Sequence, residues 1–250
     1  GLGGFFRSLG ALIKNIEADE VYVVFDGIGG SESRKNIIPE YKSGRRQSRI
    51  TNWEAFDSVE DENDSQIDQI QRIAQYLKTL PVKTVQIDKV EADDVIAYMG
   101  VELAKDPTNK IFIVSSDKDY LQLVQENLIV YRPIEKKYYT PSTILDSFGC
   151  SVENFILFKL LMGDGSDKIE GLKGLGPKKL YKFFPELRGK KLGLDGLLKL
   201  AESKLGEHIL YARLLSDPHG LKKKYKVMDL SKPMIDENDE KFLDKFRKFN

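Results

Sequence analysis

Three times between residues 21 and 119 a short apolar run gives way, at once or within a few residues, to acidic side chains. Residues 21–25 are followed by Asp26, residues 84–87 by Glu91, Asp93 and Asp94, and residues 111–115 by Asp117 and Asp119. Between these runs lie segments with helical spacing, at residues 67–77 and again where Ala92, Val95, Ile96 and Met99 recur on one face. Alternating strands and helices of this kind predict an α/β protein with a doubly wound parallel sheet. Ligands of such sheets gather outside the carboxyl ends of the strands, so the repeated acids are expected to share one edge.

The pattern changes near Gly149. Thr140 followed by Pro141 makes an N-cap and first-turn pair, and Ser151 is expected to cap a run containing Ile156, Leu160 and Leu161. The chain is therefore divided into an α/β core over residues 1–148 and a mainly helical region over 149–250. Residues 43–65 are polar enough to read as a mobile connection. At the front, Phe5, Leu9, Leu12, Ile13 and Ile16 give a helix from the first residues onward.

Composition excludes some classes of function. No apolar run reaches the roughly 20 residues of a membrane span. One cysteine, Cys150, cannot form an internal disulfide, which points to a reducing cytoplasmic setting. With 39 basic and 39 acidic residues the net charge is zero, so overall charge gives no argument for a nucleic-acid partner. Its distribution does. Residues 31–50 hold Arg34, Lys35, Lys42, Arg45, Arg46 and Arg49 against two acids, residues 168–191 hold eight Lys or Arg against two, and Lys222, Lys223, Lys224 and Lys226 form a third run. Any one run alone reads as a solvated surface.

The acids also have ordinary explanations singly, as helix N-terminal residues favoured by the dipole or as turn formers. Together they do not. Two unit charges about 4 Å apart repel by roughly 4 kcal/mol at an effective dielectric near 20. Asp164 and Asp167, beyond the helix ending at Met162, bring the candidates to eight carboxylates. Such a set calls for hard cations, Mg²⁺ or Mn²⁺, and the only histidines, His208 and His219, are too far along the chain to make a zinc site with them. An aspartyl-nucleophile phosphatase would need a second Asp two positions after Asp26, where Ile28 stands.

Seven of these eight acids occur within longer motifs, Glu91-Ala-Asp-Asp-Val-Ile96, Ser115-Ser-Asp-Lys-Asp119 and Met162-Gly-Asp-Gly-Ser-Asp-Lys-Ile-Glu-Gly171, and Gly174-Leu-Gly-Pro-Lys-Lys179 follows them. In that order, and over almost the whole chain, they resemble the 5′ nuclease family that includes flap endonucleases, bacteriophage enzymes and the 5′ nuclease domain of bacterial DNA polymerase I. The resemblance implies a PIN-like nuclease core, a basic arch over about residues 31–62, and a helix-hairpin-helix (H3TH) DNA-binding subdomain. It implies two divalent ions, the first held by Asp26, Glu91, Asp93, Asp94 and Asp117, the second by Asp119, Asp164 and Asp167. Arg34, Lys42 and Arg45 become catalytic candidates on the arch, with Lys42 at the scissile phosphate. Tyr41, Arg46 and Arg49 are expected to hold the unpaired strand, and Gly174, Gly176, Lys178 and Lys179 the duplex, with K⁺ as a further ion on the hairpin carbonyls. One more family acid lies on a strand preceding the first helix, which this reading expects upstream of Gly1. The implied substrate is DNA with a 5′ flap, nick or frayed 5′ end, or an RNA–DNA hybrid, cut by a monomer. Two other readings stay open: a catalytically inactive, structure-selective DNA-binding protein, and a related RNA-directed nuclease.

Overall fold

The strand β1, Tyr22–Phe25, lies parallel to β2, Lys83–Gln86, in the register Val24↔Val85. Helix α1, Leu2–Ile16, precedes them, and the connection between them carries the short α2, Glu32–Lys35, and the long α3, Val59–Leu77. A computed structural model describes residues 1–43 and 49–248. Helix α3 begins eight residues before the periodic apolar stretch that predicted it. Ser58 accepts the Asp61 N–H as an N-cap, and Glu60, Asp61 and Glu62 fill the first turn, where the helix dipole favours negative charge. Residues 59–65 are therefore helical rather than part of a mobile connection, and the buried Glu62 carboxylate holds Thr51 N–H at 2.8 Å.

After β2 comes α4, Ala92–Ala104, whose Val95, Ala97, Met99 and Gly100 are buried. It leads to β3, Ile111–Val114, and β3 pairs in parallel with β4, Leu128–Arg132. Strand β5, Lys137–Tyr139, then runs antiparallel to β4. A side chain at Gly100 would meet Ile113 and Leu128 at 3.4 and 3.5 Å, so the glycine lets α4 lie close on the sheet. The expected single doubly wound sheet is corrected in one respect: among the described residues the pairing divides into β1-β2 and β3-β4-β5, with α4 packed on both β1 and β3.

The second half is helical apart from a small hairpin. Helix α5, Pro141–Phe148, has the expected Thr140 cap, extended to a reciprocal box with Thr143, and ends at Gly149 in the left-handed conformation. Ser151 opens a 3-10 turn over Val152–Asn154 rather than capping the following α6, Phe155–Met162, directly. Strands β6, Gly163–Asp164, and β7, Ile169–Glu170, form the hairpin. Helices α7, Pro177–Phe183, α8, Gly193–Ser203, α9, Ile209–Leu215, α10, Pro218–Met228, and α11, Glu237–Phe246, complete the chain. Gly149 marks a change of element type and not a break in packing. One buried cluster runs from Ile113, Leu128 and Val130 through Phe155 and Leu160 to Leu197, Leu214 and Met228. Each such fully buried aliphatic side chain contributes about 1.5–3 kcal/mol through burial. A second cluster joins Leu243 of α11 to Val85, Val90, Val95 and Met99, bringing the end of the chain back to the first half. Among the described residues no helix is long and apolar enough to cross a membrane.

Candidate metal and nucleic-acid site

Asp26 is carried to the start of α4 by a close chain crossing. Gly27 donates its N–H to Val90 O at 3.0 Å, and any side chain there would strike Ile87 O, 1.7 Å from the Cβ position. The only residue type that fits follows Asp26 directly, and Asp26 Oδ1 then accepts the Ala92 N–H at 2.8 Å. Asp26 thus has both roles at once: it caps a helix N-terminus, and it stands beside Glu91 and Asp93.

The eight acids do not form one cluster. Asp119, Asp164 and Asp167 each place a carboxylate oxygen within 4.8 Å of the others. At that separation each charged pair repels by about 3 to 4 kcal/mol at an effective dielectric near 20. The hairpin β6-β7 supplies two of them, and it begins at Gly163 with φ 80°, where a side chain would lie 2.4 Å from Gly171 N. Asp164 Oδ1 then accepts from Ser166 and from Asp167 N–H.

What counters this charge is Lys159, which the sequence reading did not select. Its ammonium is ion-paired with Asp119 and lies 2.8 Å from Asp164 Oδ2, with the residue 7% exposed. Burial raises the Asp164 carboxyl, yet the hydrogen bonds and charge of Lys159, with the Ser166 hydroxyl, hold it far below the usual range. The signal was present: Lys159 is the one charged residue in the apolar helix Phe155–Met162.

Glu91, Asp93, Asp117 and Asp26 form the other group. Asp93 accepts the buried Tyr120 hydroxyl, and the charges of Asp117 and Asp26 also reach Tyr120. Burial, reinforced by Asp117 and Glu91, raises the Asp93 carboxyl above its ordinary value, against the Tyr120 hydrogen bond and Lys42. Lys42 lies between the two groups. Its ammonium is 2.9 Å from Glu91 Oε1 and 4.0 Å from Asp93 Oδ2, and its backbone N–H donates to Asp167 O at 3.3 Å.

Three expectations need correction. Asp94 does not join the carboxylate site: it is 1% exposed, and its oxygens accept from Arg34 and from Met234 N–H. Arg34, a catalytic candidate on the arch, is instead 3% exposed and donates to Glu91, Asp94 and Val227 O. Tyr41 offers no face to a base, since its ring is buried in the main core and its hydroxyl donates to Glu91. In each case a buried charge or ring is satisfied inside the protein, as the cost of leaving it unpaired demands. Arg49 is exposed, while Arg45 and Arg46 lie outside the described residues.

On the helical side, residues 173–174 turn between β7 and α7, with Gly174 at φ 86°, and Gly176 precedes Pro177 at the first position of α7. Lys178 and Lys179 are exposed there. Lys173 O accepts from Arg213 Nη1 at 2.9 Å and Gly174 O from Lys179 Nζ at 3.4 Å. Leu172 O accepts the Leu175 N–H. All three carbonyls thus already accept a protein donor. The carboxylates do fit hard divalent cations, because their donors are all anionic oxygens and a buried lysine already pairs with two of them.

The family description "5′-3′ exonuclease, N-terminal resolvase-like domain" matches residues 1–149. The 5′-3′ exonuclease of Aquifex aeolicus is 32% identical over 175 residues, which is 70% of this chain and 55% of that protein. DNA polymerase I of Streptococcus pneumoniae is 30% identical over 216 residues, 83% of this chain and 22% of the polymerase. The chain thus spans about half the length of the separate exonucleases it matches. Among solved structures, the bacteriophage T5 D15 flap endonuclease complexed with DNA and metal ions superposes with a TM-score of 0.78 at 25% identity, over 99% of this chain and 88% of that one. The matched domain, the motif order and the fold agree, and the chain belongs to the 5′-3′ exonuclease family.

Proposed function

We propose that this chain is a structure-selective 5′ nuclease, hydrolysing DNA phosphodiesters near single-strand/duplex junctions in primer removal, replication or repair. The observation that carries this reading is the placement of Lys42 between two groups of carboxylates, one of them with three oxygens within 4.8 Å. Asp119, Asp164 and Asp167 would hold one divalent ion, and Asp26, Glu91, Asp93 and Asp117 another. Such ions supply Lewis-acid polarisation of a phosphate and activation of water. The residues do the rest. Tyr120 and Arg34 fix the Asp93 and Glu91 carboxylates, and Lys42 offers a cation to the reacting phosphate from a rigid turn. The relative named a flap endonuclease, complexed with DNA and metal ions, supports the same substrate class.

The exposed Lys178 and Lys179 at the start of α7 are assigned to duplex phosphates. Replacing either with Ala is expected to weaken duplex binding to the same extent for every sequence. The slope of log affinity against log salt should fall by about one per lost contact. Fluorescence anisotropy across a salt series measures both, and a loss confined to certain sequences would contradict the assignment.

If the α7 end grips duplex and the 31–62 region receives the free 5′ strand, cleavage falls at their junction. Unpairing end nucleotides costs a few kcal/mol and is easiest at flaps and frayed ends. An end-labelled 5′ flap should therefore be cut in Mg²⁺ in preference to its 3′-flap counterpart and to a covalently closed duplex. Equal cutting of all three, or preference for the 3′ flap, would sink the 5′-nuclease reading. Tight flap binding with no cutting would favour the inactive DNA-binding alternative.

A further inference from the structure

Asp94 stands inside the acidic motif at the start of α4, and its carboxylate is taken up by Arg34 and the Met234 N–H. Its partner, Arg34, comes from α2, and the guanidinium makes four hydrogen bonds. Nη1 donates to Glu91 Oε2 at 2.9 Å and to Asp94 Oδ2 at 2.5 Å, Nη2 donates to Asp94 Oδ1 at 2.8 Å, and Nε donates to Val227 O at 3.0 Å. Asp94 Oδ1 also accepts the Met234 N–H at 2.9 Å. Three distant stretches of chain meet here: α2, the start of α4, and residues 227–234, which run from the end of α10 toward α11. Arg34, Asp94 and Glu91 are all nearly inaccessible to solvent.

The consequence lies at Glu91. Arg34 and the Tyr41 hydroxyl take its Oε2, while Oε1 points to Lys42 and the side of Asp93. A carboxylate held through one oxygen presents the other in a fixed direction, which is how groups behind a ligand tune a metal site. Asp94 in turn locks Arg34 through a two-point contact that a lysine could not reproduce.

We propose that Arg34 and Asp94 are a positioning pair, neither metal ligand nor DNA contact, which aims Glu91 into the carboxylate site and ties the segment 227–234 to it. This rests on the metal-dependent reading above. Replacing a buried ion pair by apolar residues of similar volume is often neutral, whereas removing one partner strands a buried charge. The double variant Arg34→Met/Asp94→Leu exploits that difference, with Mn²⁺ alone as the probe in titration calorimetry. The expected result is a cooperatively folded protein with wild-type duplex affinity in EDTA and Mn²⁺ affinity at least about tenfold weaker. Unchanged Mn²⁺ affinity in the folded double variant overturns the proposal. If the double variant does not fold, Arg34→Lys keeps the charge and loses the fork, and the same two results decide. Asp94→Asn supplies a second check: loss of one bound Mn²⁺ per chain, with the remaining affinity intact, would make Asp94 a ligand and overturn the pairing role. Wild-type protein that binds no Mn²⁺ would instead bring down the metal-dependent reading itself, and this proposal with it.

Discussion

Replacing Asp93 or Asp117 with Asn is expected to lower the single-turnover cleavage rate by roughly a thousandfold. The size follows from the several kcal/mol of charge stabilisation that bound divalent ions supply at a reacting phosphate, at about 1.36 kcal/mol per factor of ten. Both changes are nearly isosteric. In Asp93→Asn the amide oxygen can still accept the Tyr120 hydroxyl that the carboxylate now accepts, and Asp117 is exposed, so the fold has no reason to change. Duplex affinity measured in EDTA should be retained or rise, since each change removes a negative charge from a site that faces phosphate. The two variants are compared with wild type by quenched-flow cleavage of a 5′ flap in Mg²⁺, alongside wild type in excess EDTA. Cleavage within tenfold of wild type in both variants, or undiminished wild-type cleavage in EDTA, would remove these carboxylates from the reaction.

The fold was legible where periodicity is strong. Strand β3 spans the residues 111–114 expected, β1 and β2 fall within a residue of expectation, and the Thr140 cap lies where its sequence placed it. The sequence pattern predicts neither β4 nor β5, although Leu128–Arg132 alternates buried and half-buried side chains and ends in a short connection to β5. A sequence pattern does not say which strands pair, and the split into two hydrogen-bonded sheets is a tertiary outcome.

At the site, motif order names the acids but does not say which way each one turns. Asp93 and Asp94 are adjacent on α4, about 100° apart around its axis. One meets Tyr120 near the other acids and the other meets Arg34. The resemblance assigns Arg34 and Tyr41 to the arch, yet both are buried. Lys159 shows the reverse error. A charge inside an apolar helix must find partners or stay out of the core, and Asp119 and Asp164 are those partners.

Lys42→Ala is expected to lower the single-turnover rate by about a hundredfold to a thousandfold, the usual effect of removing one preorganised donor from a developing charge. Substrate affinity should change little, because Lys42 is one cation among many and its proposed partner is the reacting phosphate. Two features of the residue shape the test. Its backbone is left-handed, at φ 53°, a conformation that costs a non-glycine residue energy and persists only where surroundings enforce it. Here the Lys42 N–H bond to Asp167 O and the Glu91 ion pair are the enforcing contacts. Alanine keeps the strain and loses the ion pair, whereas glycine loses the ion pair and relaxes the strain. Lys42→Ala and Lys42→Gly should therefore differ in stability, with the glycine variant melting higher, while sharing the same depressed cleavage rate. Recovery of the rate by Lys42→Gly would assign the defect to the strained turn at Lys42, which bonds Asp167 O, rather than to the ammonium. A fall in affinity as large as the fall in rate, in both variants, would reduce Lys42 to a general phosphate contact.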